Sequence, residues 1–335
     1  MTKLRSPYLL FLGDIGDIGY VKTACGLRDW APERCAGQLR LSGGVDLGLP
    51  DKTPAQAAAA GAGTLVIGTA TDGGRMPYAW HAVLLQAIDA GMDVASGLHQ
   101  RLNAVPELVA AANRRGVRLI DVREPPADIP VGTGVKRSGR RLLTVGTDCA
   151  IGKKYAALAI TKALRAAGYK ATFRATGQTG ILLAGSGMPI DAVVSDFVAG
   201  AAEMLSPDNE PDHWDVIEGQ GALAHPSYAG VTTGLVHGSQ PDAMVLCHEP
   251  GRREIEGRPG FPTPSIEEAM DDYLRVARVT NRNARFAAVS LNTGRLAEPD
   301  ALATIQATAD ATGLPCFDPL RTSLTGLVKR LSAWP

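Results

Sequence analysis

The stretch that most constrains this chain runs from Arg140 to Leu164 and contains GTDCAIGKK. An apolar run from Arg141 to Val145 stops at Gly146. Gly152 and Lys153 then open a segment with Ile160, Ala163, Leu164 and Ala167 at helical spacing, and Gly168 is a natural stop. The pattern predicts a buried strand, a glycine-bounded loop and an amphipathic helix. Such a junction collects backbone N–H groups and the positive end of a helix dipole, so it predicts an anion site.

The residues expected to form that site are Gly146, Thr147, Asp148, Cys149, Ala150, Ile151, Gly152, Lys153, Lys154 and Tyr155. The standard phosphate loop GxxxxGK[ST] follows its lysine with a hydroxyl that meets magnesium. Here Lys154 and Tyr155 stand in that place. A protonated lysine cannot ligate a metal, whereas two lysines neutralise a diphosphate. The loop is therefore read as a diphosphate cradle without metal-dependent phosphoryl transfer, and no metal is expected. Cys149, beside a helix start and two lysines, is expected to have a lowered thiol pKa. A phosphate on the loop would repel a thiolate, which weighs against a covalent route through Cys149.

Around this junction the chain alternates short apolar runs with helical periodicity, which predicts parallel α/β sheets. Strands are expected at 7–14, 33–41, 64–70, 92–99 and 118–123, with helices from Tyr78 to Ala90 and Glu107 to Arg115. Gly13, Gly16 and Gly19 follow the first strand without the GxGxxG spacing of a dinucleotide loop. The proline- and glycine-rich stretch 124–141 reads as a linker. Beyond it, strands are expected at Arg141–Val145, Ala171–Ala175, Trp214–Ile217, Ala243–Cys247 and Phe286–Leu291, with helices at Val194–Leu205 and Ile266–Thr280. The fold expected is α/β in two domains. A Rossmann-like parallel sheet spans 1–124, the linker 125–140, and a P-loop NTPase-like doubly wound sheet 141–335.

Ligands in such sheets gather at the C-terminal strand ends. In the first domain those ends carry Arg75, His99 and Arg123; in the second, Arg174, Gln178 and Thr179 in FRATGQTG. The arginines are candidate carboxylate clamps, with surface arginine the plain alternative. Glu218, in EGQGALAHP after an apolar strand, is either a residual metal ligand or a base. Asp196 is either a base or an N-cap, and His225 is the third candidate base.

Composition removes other classes. Acidic and basic residues balance at 34 each and aromatics are 5%, which argues against a nucleic-acid surface. Five cysteines without a CxxC argue against a disulfide framework or zinc ribbon and suggest a reducing cytosol. The chain shows neither a signal peptide nor a membrane-spanning run. A cytoplasmic homo-oligomer is expected.

The loop resembles the GTDTxxGKT loop of dethiobiotin synthetase. Nearly the whole chain is similar to a family long described only as a domain of unknown function. VKTACGLR, GTATDGGRMP, SGLH, DVREPP, FRATGQTG, SDFVAGAAE, EGQGALAHPSYAG, HGSQPDAMVLCHEPGR and SLNTG carry that likeness. The resemblance implies a Rossmann-like domain followed by a P-loop domain. It also implies D-glutamate N-acetyltransferase activity with acetyl-CoA as co-substrate, and a partner N-acetyl-glutamate racemase in D-glutamate catabolism. The alternative is an ATP- and magnesium-dependent ligase or kinase resembling dethiobiotin synthetase, against which Lys154 counts.

Overall fold

The computed structural model describes residues 4–334. The chain divides into two compact units, one of residues 1–124 and 177–189, the other of 125–176 and 190–335.

In the first unit five parallel strands lie in the order β2-β1-β3-β4-β5. They are β1 (Tyr8–Gly13), β2 (Cys35–Arg40), β3 (Thr64–Ile67), β4 (Asp93–Ser96) and β5 (Leu119–Asp121). β1, β3 and β4 are buried along their whole length, as strands covered on both faces must be. Helices α1 (Lys22–Trp30), α2 (Pro54–Ala59), α3 (His81–Asp89) and α4 (Pro106–Arg115) connect them. One core joins Leu9, Phe11 and Leu65 of the sheet to Trp80, Leu84 and Leu108 of the helical layer. The helix expected from Tyr78 begins as a single 3-10 turn, with the α-helix starting at His81. The sequence reading does not anticipate α2, which is only six residues long, nor α1, although at nine residues it is as long as α3. α2 depends on a cap, in which the Thr53 hydroxyl and the Gln56 side chain satisfy each other's backbone N–H groups.

The second unit is a six-stranded parallel sheet in the order β11-β10-β9-β6-β8-β7. Its strands are β6 (Arg140–Gly146), β7 (Ala171–Arg174), β8 (Trp214–Ile217), β9 (Ala243–His248), β10 (Arg285–Leu291) and β11 (Cys316–Phe317). The helices are α5 (Lys153–Ala166), α7 (Val198–Leu205), α8 (Ala229–Ser239), α9 (Ile266–Ala277), α10 (Glu298–Thr312) and α11 (Thr325–Ser332), while α6 (Gln178–Ala184) belongs to the first unit. β6 lies between β8 and β9, so the strand order reverses at the phosphate-loop strand. That is the topological switch point where open α/β sheets bind ligands. The two-residue β11 carries no periodic signal and was missed.

The stretch 125–139 has no regular structure, yet it belongs to the second unit. Glu203 of α7 accepts hydrogen bonds from Thr133 N–H, Thr133 Oγ1 and Gly134 N–H. Asp208 accepts from Ser138 N–H, and Arg137 donates to Gly238 O. A Cβ at Gly200 would lie 1.8 Å from Pro130 O, so only glycine admits this strap. Proline and glycine prevent a helix or strand here, and side chains satisfy the exposed backbone instead.

Candidate functional site

The phosphate loop is built by local rules and then fixed by distant residues. After Gly146 the chain turns through Ala150 (φ 54°) and Gly152 (φ 104°) into α5. Both lie in the left-handed region, which an alanine occupies only when its surroundings hold it there. The first turn of α5, opening at Lys153, carries N–H groups with no acceptor inside the helix. Lys153 is buried and its Nζ donates to Asp148 O at 2.7 Å. Burial pushes its ammonium pKa down, against the opposing pull of Cys149, Cys247 and Asp148. The ammonium of Lys154 lies 5.3 Å from the ring centroid of Tyr155.

Asp148, fully buried, holds the loop's shape. Its Oδ1 accepts from Cys149 N–H at 2.6 Å, and its Oδ2 accepts from Arg252 Nη1 and Glu256 N–H, both at 2.8 Å. Arg252 also donates to Cys149 O and Glu249, and Arg295 pairs with Glu249 on its other side. Thr147 Oγ1 lies 3.0 Å from His248 Nδ1 at the end of β9. These contacts tie the loop to the segment that follows β9.

The strand beside β6 supplies Glu218. It is buried just beyond β8, with Oε2 accepting from Thr176 N–H at 3.0 Å and its carbonyl from Thr176 Oγ1 at 2.7 Å. Gly219 lets β8 pass close to the loop lysine. A Cβ there would lie 1.8 Å from Thr144 O and 3.1 Å from Lys153 Cδ. His225 comes from the turn after Glu218, stacked on Tyr228 with ring centroids 4.4 Å apart. Its Nδ1 accepts from Ser227 N–H at 3.1 Å. A ring nitrogen of His225, Cys149 Sγ and an Asp148 carboxylate oxygen all lie within 4.8 Å of one another.

Of the expected site residues, the structure thus gathers the loop from Gly146 to Tyr155, Glu218 and His225. Others sit elsewhere. Arg174 needs correction as a carboxylate clamp, because its Nε donates to the buried Asp215 at 2.9 Å. Asp196 is exposed on the one-turn helix Ser195–Phe197, whose N-cap is Val194, so it is not the cap either. Gln178 and Thr179 fall in the first unit. There Gln178 Oε1 accepts from Arg123 Nη2 at 2.9 Å and Thr179 Oγ1 donates to Thr23 at 3.1 Å. Arg123 also donates to Gly97 O. His99 is exposed, close under Gly74, where a Cβ would collide with its ring. Arg75 lines a cavity of about 570 Å³ at the ends of β1 and β3, together with Asp14, Asp17 and Tyr20.

The expected thiol shift also reverses. Burial raises the Cys149 pKa and outweighs the lowering by Lys153. Sequence reasoning missed Arg252, Glu256 and Arg258. Their signal was the charge-dense run EPGRREIEGRPG after an apolar strand.

A central parallel strand ending in this loop defines a P-loop domain, and comparison with known proteins agrees. Residues 130–328 match the P-loop domain of DUF1611, a domain of unknown function, and residues 33–125 match its Rossmann-like N-terminal domain. The chain belongs to the DUF1611 family. It is 50% identical over 331 residues to a D-glutamate N-acetyltransferase of Tritonibacter scottomollicae, covering 98% of this chain and 99% of that one. It is 43% identical over 330 residues to another from a Pseudoalteromonas species, again covering 98% and 99%. The crystal structure of a DUF1611 family protein from Anabaena variabilis is similar at a TM-score of 0.88 and 32% identity, over 98% of this chain and 99% of that one. Among the described residues no helix is long and apolar enough to cross a membrane.

Proposed function

We propose that this chain is a D-glutamate N-acetyltransferase that moves the acetyl group of acetyl-CoA to the amino group of D-glutamate. The observation that carries the reading is its 50% identity, end to end, to a relative of that name. The loop suits the donor. Coenzyme A presents a diphosphate and a 3′-phosphate, and backbone N–H groups with Lys153 hold such anions without a metal. Lys154, over the Tyr155 ring, places no hydroxyl where magnesium would bind, which weighs against an ATP-dependent ligase.

Amide formation from a thioester needs no ATP. The substrate ammonium loses a proton to the base, its nitrogen bonds to the acetyl carbon, and the carbon–sulfur bond breaks as a second proton passes from the nitrogen to the departing sulfur, which leaves the amide and the CoA thiol. Glu218 is our choice for the base, because it is buried next in the chain to Gly219, which packs on the loop lysine, and its carboxylate is an acceptor in its ionised form. Asp196, exposed on its single turn, has less support. Among the candidate carboxylate clamps, Arg75 lines a cavity of the first unit. Arg123 already donates to Gly97 O and Gln178, and Arg174 is committed to Asp215. The five free cysteines fit a reducing cytoplasm, where the product would pass to an N-acetyl-glutamate racemase.

The test mixes purified protein with acetyl-CoA and a panel of D- and L-amino acids while free thiol is monitored. Thiol release is expected with D-glutamate, and its absence would overturn the reading. Glu218→Gln should then lower kcat by about a hundred- to ten-thousand-fold if Glu218 is the base. Unchanged kcat would remove it from that role.

A further inference from the structure

We infer that His225 is neither a base nor a metal ligand but a neutral hydrogen-bond donor to the anion held by the loop. The inference rests on the reading of that loop as the acyl donor's diphosphate site. Its starting point is a single contact: Ser227 N–H donates to His225 Nδ1 at 3.1 Å. A backbone N–H can only donate, so Nδ1 must offer its lone pair, and the neutral ring carries its proton on Nε2. An Nε2–H has no lone pair with which to accept a proton or bind a metal.

Two more contacts keep the ring in this state. Arg258 donates through Nε and Nη2 to Ser227 Oγ, at 3.2 and 2.7 Å, and fixes the turn that presents the N–H. Tyr228 stacks against the imidazole with an interplanar angle of 37°. Metal-binding histidines show the reverse arrangement, in which the second ring nitrogen donates to a carbonyl or carboxylate. The neighbouring side chains agree. Asp148 already accepts from three donors, and Arg252 places a guanidinium on the same carboxylate. Cys149 holds its proton more tightly than an ordinary thiol. The Asp148–Cys149–His225 cluster therefore resembles a metal site in composition only.

What remains is a donor that is only 2% exposed and lies beside Cys149 of the phosphate loop. Nε2 has no hydrogen bond among the described residues. A ring N–H with no protein acceptor, on an otherwise buried residue beside Asp148 and Cys149 of the loop, matches an oxyanion of the bound diphosphate. In this role His225 sets affinity for the donor and leaves the proton inventory of acyl transfer to another group.

Calorimetry with 3′,5′-ADP, acetyl-CoA and inorganic pyrophosphate on the full chain tests the assignment. His225→Ala should weaken binding of these anions about ten- to hundred-fold, the effect of one hydrogen bond to a charged group. His225→Gln, which retains a side-chain N–H near Nε2, should stay within about threefold of wild type. Unchanged affinity in His225→Ala would overturn the proposal, as would stoichiometric zinc binding that this variant abolishes. Histidine-selective ¹H–¹⁵N spectra of the wild-type chain read the tautomer directly, with His225 assigned by its loss in His225→Gln. An Nδ1-protonated ring at His225 would sink the proposal whatever the affinities show. Failure of the wild type to acetylate D-glutamate would count against the proposed function, whereas active wild type with unaltered His225→Ala affinity counts against this assignment alone.

Discussion

Arg252 Nη1 stands 2.8 Å from Asp148 Oδ2, joining the segment after β9 to the phosphate loop across 104 residues of chain. Asp148 is wholly buried and Arg252 is 12% exposed, so the pair is shielded from solvent and screening is weak. Removing one partner strands a buried charge. Arg252→Ala should therefore cost about 3–5 kcal/mol in urea unfolding. Arg252→Lys should cost less, since it keeps the charge but not the fork that also reaches Glu249. Equal stabilities for wild type and Arg252→Ala would show that the loop does not depend on this pair.

The loop lysine offers a kinetic test of what the loop holds. Lys153→Ala should raise KM for acetyl-CoA by about ten- to hundred-fold, by loss of charge-assisted bonds to phosphate. KM for the amino acid should change much less. The opposite pattern in steady-state kinetics would mean that the loop binds the acceptor.

Cys149 should be slow rather than reactive. Its thiol is raised by burial more than Lys153 lowers it, and burial likewise pushes Cys247 and Cys316 up to about 12. Alkylation of Cys149 by iodoacetamide, followed by mass spectrometry near pH 7, should be slower than for a free peptide thiol and should climb with pH. Cys149→Ala should retain turnover within about threefold, because direct transfer asks nothing of the sulfur. Near-complete loss of turnover with donor affinity intact would revive the covalent route.

In the first unit, acid should act through Asp93. Burial works against its charge, but hydrogen bonds from Arg5 and Arg118 outweigh it and hold the carboxyl below the usual range. A folded pKa below the unfolded value means stabilisation that is complete above the unfolded pKa of about 3.9 and lost as pH falls through the folded one. Asp93→Asn should thus destabilise the first unit clearly near pH 7. The difference from wild type should shrink steadily below about pH 4. A pH-independent difference in urea midpoints would remove the charge from the explanation.

Most of the fold, and half of the site, was legible in the chain itself. Apolar runs closed by Gly146 or followed by Gly68 and Gly219 marked parallel strands, and the spacing through Ile160 and Leu164 marked α5, because these patterns are carried by covalent neighbours. The same locality exposed the phosphate loop and its substitution by Lys154. α2, α6 and β11 escaped because short elements hold too few periods to stand above the background.

Tertiary structure alone decided the rest. It gave Arg174 to Asp215, and it gave Asp148 to Arg252. It set the His225 proton by a backbone N–H that Arg258 holds in place, and it reversed the expected Cys149 shift by burying the thiol. Periodicity records which face of an element is apolar. Which charge meets which, and how dry the meeting place is, depends on chain segments far apart in sequence. Those contacts fix pKa and tautomer, so the phosphate-loop element was visible in the chain while its electrostatics were settled by the fold around it.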